Sequence, residues 1–206
     1  MMKLLYCFIS HKSVVEQDAK KWRQVCKDKN IVDYLIICGG YKKNYIKDNI
    51  LHLNCNDYYE GLSFKIHSMF KFFIENNINF DYYLKIDRDV KLFKPIDDQV
   101  QLKDYSGCWV KVKQGFDGNR KWHFGKCSKN SRWSSKEYPG KFIPWCDGGR
   151  GYFLSPKAAT IIASNPPDEN VHIYEDLYVA ETLLKYDIHP QHIYNIKEYL
   201  LNIEEK

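Results

Sequence analysis

The chain lacks the signatures by which a sequence of this size declares a stapled or membrane-spanning fold. Its seven cysteines (Cys7, Cys26, Cys38, Cys55, Cys108, Cys127 and Cys146) are scattered and include no Cys-x-x-Cys pair. An odd, dispersed set excludes a disulfide framework and a structural zinc site, and fits reduced thiols in a cytoplasmic compartment. No run approaches the ~20 apolar residues of a membrane helix. Leu4–Ile9 falls short of a secretory h-region of roughly 7–15 residues, and no cleavage site follows it. An excess of one charge is also missing: 31 Lys and Arg against 26 Asp and Glu leave +5. That is too mild for a nucleic-acid groove, which calls for a basic stripe or tail. It suits a ligand carrying a diphosphate without requiring one. Repeats and linkers are absent as well, so the 206 residues are read as one α/β domain.

What is present is a core. Hydrophobic residues make up 44% and aromatics 16% of the chain, enough to bury a full interior. The abundance of Lys, Asn, Ile and Tyr fits AT-rich coding, with large DNA viruses and AT-rich protists as possible sources. Lys3–Ile9 reads as a buried strand. Ser13-Val14-Val15-Glu16 has the form of a capping box opening a helix to about Cys26. Asp33–Cys38 and Asn49–Leu53 read as strands, Leu62–Asn76 as a helix with one apolar face, and Asp81–Ile86 as a further buried strand. Alternation of this kind predicts a mainly parallel, doubly wound sheet flanked by helices. Ligands of such sheets bind beyond the carboxyl ends of the strands, where Ser10-His11 and Asp87-Arg88-Asp89 fall. Further on, Asp104–Lys113 reads as a strand and Gln114–Lys141 as a long basic, glycine-containing loop, expected to act as a lid over a diphosphate. Within it, Trp122 and Trp133 are open to either sugar stacking or local packing, whereas Trp22 is expected in the core. Tyr152-Phe153-Leu154 begins another apolar run, a short helix follows to about Ser164, and Asp176–Tyr186 is helical.

Three constellations carry chemistry. In Asp87-Arg88-Asp89, residues two apart on extended backbone point to one side, so both carboxylates can face one site. Such oxygen ligands suit Mg²⁺ or Mn²⁺, with water and substrate phosphate completing the shell. On its own, however, the triplet reads first as a polar turn whose carboxylates cap backbone amides. Gly148-Gly149-Arg150-Gly151 lets the backbone pass close to a ligand, but lacks the spacing of a dinucleotide or P-loop motif; a turn before a strand explains it equally well. Glu175-Asp176 at a helix start fits either the positive end of the helix dipole or a general base.

Together, in this order, the blocks resemble glycosyltransferase family 31, the β-1,3-galactosyl- and N-acetylglucosaminyltransferases and Fringe enzymes. Lys21-Trp22, Asp57-Tyr58-Tyr59-Glu60-Gly61-Leu62-Ser63-Phe64-Lys65 and Leu84-Lys85-Ile86-Asp87-Arg88-Asp89-Val90 look like family segments. So do Tyr138-Pro139, Pro144–Ser155, Glu175-Asp176-Leu177-Tyr178-Val179 and Ile188-His189-Pro190. The resemblance implies a GT-A (Rossmann-like, nucleotide-sugar-binding) fold over 1–206, with 1–103 mainly the nucleotide half and 104–206 mainly the acceptor and catalytic half. It implies Mn²⁺ or Mg²⁺ as cofactor, a UDP-sugar as donor, and a glycan or glycoprotein as acceptor. Asp89 would ligate the metal; Asp87 would contact metal or nucleotide. Ser10, His11, Lys65 and Arg88 would lie on the nucleotide. Trp145, Cys146, Asp147, Gly148, Gly149 and Glu175 would line the sugar and acceptor pocket, and Asp176 would be the base of an inverting transfer. His192 is the candidate for the family's late histidine ligand, with His189 in reserve.

Two departures stand out: Arg88 replaces the middle Asp of the triplet, and Arg150 sits where glycine is common. The membrane stalk of Golgi members is not among these residues. That leaves a domain of a longer multidomain protein or a cytoplasmic, virus-encoded enzyme as the settings, in preference to the Golgi lumen. The competing reading is a non-catalytic carbohydrate- or nucleic-acid-binding module.

Overall fold

Leu4–Ile9 (β1) is buried along its whole length, as a strand covered on both faces must be. The computed structural model describes residues 2–112 and 117–202. Val15–Asp28 (α1) follows and buries Val15, Ala19, Trp22 and Cys26 at helical spacing. Next come Tyr34–Cys38 (β2), Tyr45–Lys47 (β3), Ile50–His52 (β4) and Leu62–Glu75 (α2). Tyr82–Asp87 (β5) runs through the Arg88-Asp89 turn into Val90–Leu92 (β6). The second half supplies Tyr105–Gly107 (β7), Trp109–Val110 (β8), Trp145–Cys146 (β9) and Tyr152–Leu154 (β10). It ends in Pro156–Ser164 (α3), Glu175–Leu184 (α4), Gln191–His192 (β11) and Leu200–Asn202 (β12). Helix α3 starts cleanly, because the Ser155 side chain accepts from Ala158 N–H and proline occupies the first turn.

The main sheet runs β11-β7-β10-β5-β1-β2-β4-β3. Strands β5, β1, β2 and β4 are mutually parallel, and β10 is antiparallel to both of its neighbours. The expected mainly parallel sheet with flanking helices is therefore what the chain builds. Alternation along β1 divides two cores. Leu5, Cys7 and Ile9 pack with residues of α2, α3 and α4, while Tyr6 and Phe8 pack with α1. Trp22 lies on Phe8 with ring centroids 3.9 Å apart, a packing role as expected. In register, Ile9 of β1 sits beside Asp87 of β5, which brings Ser10-His11 and the Asp87–Asp89 turn together at one sheet edge.

Several local expectations give way to tertiary structure. The Ser13 capping box does not form: α1 begins at Val15 behind Val14 with no side-chain cap. The Ser13 hydroxyl instead meets His11 Nδ1 at 2.7 Å. The strand expected over Asp104–Lys113 breaks after Gly107, and β8 leaves the main sheet to pair with β9. At that break a side chain on Gly107 would crowd Cys146, Gly151 and Tyr152, within 3.1 Å of an added Cβ. The end of the expected strand and start of the expected lid, residues 113–116, lie outside the described residues. The rest of the lid is not an open loop. Trp133 and Tyr138 pack with Ile173, Tyr174 and Leu177 into a third apolar cluster, so residues 117–141 form a strap with its own core.

Candidate active site

Three adjoining clefts run across the carboxyl edge of the sheet. The first, about 550 Å³, is lined by Ser10, His11, Asp57, Lys65, Asp87, Arg88 and Asp89 among others. A central cleft of about 460 Å³ shares Asp87 and Asp89 and adds Asp147, Gly148, Gly149, Glu175, Asp176, Trp122 and Lys126. The third, about 340 Å³ and mostly apolar, shares Trp122, Asp147, Tyr174 and Asp176 with the centre and adds Phe142, Trp145 and Leu177.

The centre is organised by Lys85, which alternation within β5 would otherwise reserve for an apolar side chain. Its side chain is 1% exposed, with Nζ 2.7 Å from Asp87 Oδ1 and 3.2 Å from Glu175 Oε2. A third bond runs to the Gly148 carbonyl at 3.1 Å. Burial alone would lower this ammonium's pKa, but the two carboxylates outweigh it and hold the pKa above its usual value. One cation thus fastens the Asp87–Asp89 turn, the Gly148-Gly149 turn and the start of α4 together. A side chain at Gly148 would press on this centre, because an added Cβ would come within 3.0 Å of Glu175 Oε2 and 3.2 Å of Lys85 Nζ. The adjoining Gly151 has φ +79°, a conformation that favours glycine. Glu175 is also held by the Tyr152 hydroxyl, which donates to Oε1. Its carboxyl pKa is raised, first by burial, with Lys85 pulling the other way. Glu175 therefore serves the site chiefly as a structural anchor.

Asp176 differs from its neighbour. It is partly exposed to the cleft. Its Oδ1 accepts from the Leu177 N–H at 2.9 Å. Its pKa is raised from 3.8 to about 7, by burial first and then by Glu175 and Asp147. A carboxyl poised near neutrality can accept a proton at working pH.

On the other side, Asp57 is the hub. It accepts from Gly39 N–H at 2.7 Å and from Lys12 N–H at 2.5 Å, and pairs with Lys65 Nζ at 2.6 Å. Lys65 Nζ also donates to the Ser10 carbonyl at 2.8 Å. Ser10 Oγ donates to Asp18 Oδ2 at 2.6 Å, and the same carboxylate takes Arg88 Nη2 at 3.3 Å. Arg88 is thereby drawn back toward α1, leaving Asp87 and Asp89 to share the cleft.

The structure thus gathers Ser10, His11, Lys65, Asp87, Arg88, Asp89, Asp147, Gly148, Gly149, Glu175 and Asp176 around two joined clefts, with Trp145 in the third. Cys146 is a correction: it is fully buried in the main core and supports the wall from behind, since its neighbours on β9 and in the next turn take the cleft side. His192 and His189 line none of these clefts. His192 Nδ1 accepts from Trp109 N–H at 3.1 Å, and His189 pairs with Asp187 at 3.1 Å. Of the two lid tryptophans, Trp133 is 3% exposed and Trp122 is 58% exposed, so one packs and the other faces the clefts. Residues given no role from sequence are Lys85, Asp57 and Asp18. A lysine inside an apolar strand was the one local signal among them.

Among the described residues, no group of three or more His, Cys, Asp or Glu side chains gathers to hold a metal ion. Asp87 and Asp89 lining one cavity fit a different kind of site, in which Mg²⁺ or Mn²⁺ takes one or two carboxylates and completes its shell from phosphate and water. Also among the described residues, no helix is long and apolar enough to cross a membrane.

No curated protein sequence matches the chain. Among solved structures, it is similar to one described as the crystal structure of a glycosyltransferase involved in the glycosylation of the major capsid of PBCV-1. The TM-score is 0.51 at 12% identity, covering 99% of this chain and 95% of that one. At that identity the likeness concerns the fold, a mixed α/β sheet flanked by helices. The sequence itself goes further: residues 40–194 match the Galactosyltransferase family, a span holding every element of the central and apolar clefts. The chain belongs to the Galactosyltransferase family, the family-31 type that its motifs resemble.

Proposed function

We propose that the chain transfers a hexose from a UDP-sugar to a hydroxyl of a glycan acceptor, with inversion and with Asp176 as the base. The observation that carries this reading is the position of Asp176. It stands where the carboxylate-lined centre meets the aromatic cleft, with its pKa raised to about 7. The cleft with Ser10, His11, Asp57 and Lys65 would take the nucleotide. The aromatic cleft of Trp122, Phe142, Trp145 and Tyr174 offers flat apolar faces on which an acceptor sugar can stack.

In the transfer, the acceptor oxygen forms a bond to the anomeric carbon as its proton passes to the Asp176 carboxylate. The bond from that carbon to the diphosphate breaks, and its electron pair leaves with the diphosphate. Asp89, with Asp87, would hold a divalent cation, which would supply positive charge to the departing diphosphate. Lys85 keeps Asp87 and Glu175 in place, and the Gly148-Gly149 turn lets the backbone lie close to the sugar. The five carboxylates lining the centre (Asp87, Asp89, Asp147, Glu175 and Asp176) would repel a nucleic-acid backbone, which disfavours a nucleic-acid-binding module.

A panel of UDP-sugars with Mn²⁺ tests the reading, with UDP release as the readout. Release from at least one donor is expected, with Asp89→Ala losing the response to metal. No release from any donor, with or without acceptor glycans, would overturn it.

A further inference from the structure

The cleft on the nucleotide side carries two aromatic rings that the transfer chemistry does not use. Tyr58 lines it and is 57% exposed. His11 lines the same cleft, with the two ring centroids 5.9 Å apart and the planes tilted by 51°. At that tilt neither ring covers the face of the other.

Both rings stand on held backbone. Tyr58 N–H donates to Asn56 Oδ1 at 3.0 Å, and the Tyr58 carbonyl accepts from Gly61 N–H at 2.9 Å. The turn closes so tightly that a Cβ on Gly61 would collide with the Asn56 backbone. The residue before Tyr58 is Asp57, which the Gly39 and Lys12 N–H groups and Lys65 Nζ already fix. His11 is fixed as well: its Nδ1 accepts from Ser13 N–H at 3.1 Å, and its Nε2 lies 3.6 Å from Asp57 Oδ2. A tyrosine has only two side-chain torsions, so a ring carried on a held turn loses little freedom when a ligand covers it.

Position decides what that ligand is. Among the described residues, the two outer clefts share no lining residue, and each meets the centre on its own side. The cleft of Tyr58 joins it through Tyr59, Leu62, Asp87 and Asp89. The acceptor cleft joins it through Trp122, Asp147, Tyr174 and Asp176. A donor with its diphosphate at Asp87 and Asp89 and its anomeric carbon at Asp176 therefore leaves its nucleoside beside Tyr58 and His11. The part of a nucleoside that offers a flat π face is its base.

We infer that Tyr58 is the base-stacking residue of the donor site, with His11 beside it as the second aromatic wall. This rests on the nucleotide-sugar reading above and adds a specificity-determining residue to it. Stacking of this kind selects for a flat aromatic base and is indifferent to the base's hydrogen-bonding edge.

The test titrates UDP and 5,6-dihydro-UDP, whose base is neither flat nor aromatic, into the full chain with Mn²⁺. Wild type, Tyr58→Ala and Tyr58→Phe are compared. Tyr58→Ala should weaken UDP binding by about 5- to 150-fold and the dihydro form by much less. Tyr58→Phe should bind UDP within about twofold of wild type, because it keeps the ring face. Equal UDP affinity in wild type and Tyr58→Ala overturns this assignment alone. An equal fold-loss for both ligands also overturns it, because Tyr58 would then shape the cleft rather than stack on the base. Failure of the wild type to bind UDP overturns the nucleotide reading and this assignment with it.

Discussion

Replacing Asp176 by Asn should stop transfer and, at alkaline pH, make the protein more stable. The carboxyl's pKa is raised from 3.8 to about 7, chiefly by burial and by the charges of Glu175 and Asp147. Between those values the folded chain keeps a proton that the unfolded chain has released, so this group's contribution to stability falls as pH rises through that window. Each pH unit of separation is worth about 1.4 kcal/mol, which sets a ceiling of ~4 kcal/mol at pH 8. Water reaching the open side of the carboxyl should bring this down to about 2 kcal/mol. Asparagine is isosteric and carries no charge, so it should recover that amount at pH 8 and almost none near pH 4. For a chain of this size the gain corresponds to a rise in Tm of about 4–8 °C at pH 8. Transfer should fall by about 10²- to 10⁴-fold, the usual contribution of a positioned base. Calorimetry at pH 4 and pH 8 checks the first part, and a UDP-release assay with acceptor checks the second. A Tm gain equal at both pH values, or a loss at pH 8, would refute the reasoning, as would retained transfer.

Asp147→Asn should keep the turn intact, because Asp147 accepts from Gly149 N–H and asparagine can do the same. Removing its charge should move the acid limb of kcat, expected near pH 7 from Asp176, toward lower pH; an unmoved limb in the pH–rate profile would count against that coupling. Lys85→Met should destabilise the fold by about 3–5 kcal/mol, because two carboxylates lose their buried partner; urea unfolding measures it. Trp145→Ala should raise the acceptor KM by about tenfold through lost stacking surface while leaving UDP affinity in place, as separate kinetic and titration experiments would show.

The sequence makes the architecture legible where the signal is local. β1, β2, α2 and β5 lie within a residue or two of their expected bounds, because burial on both faces and helical spacing are written into consecutive residues. The acidic triplet and the Glu175-Asp176 pair were legible by order, and β1–β5 register explains why Ser10 and Asp87 end side by side. What was illegible depends on distant partners. Lys85 looks like a misplaced charge until Glu175 and Gly148 close around it. Ser13 satisfies a capping pattern, yet its hydroxyl goes to His11. Trp122 and Trp133 share a basic loop and differ only in what packs against them, which no local rule distinguishes. Cys146 lies between two cleft residues and still faces the core, because β9 is a strand and its side chains alternate.

In the proposed single-base transfer, Asp176 serves an incoming hydroxyl. Water can take the acceptor's place, so the most direct measurement is the anomeric configuration of the sugar first released from an α-linked UDP-sugar, followed by NMR before mutarotation. The β anomer is expected, formed by the wild type and suppressed in Asp176→Asn. Initial release of the α anomer by the wild type would contradict it.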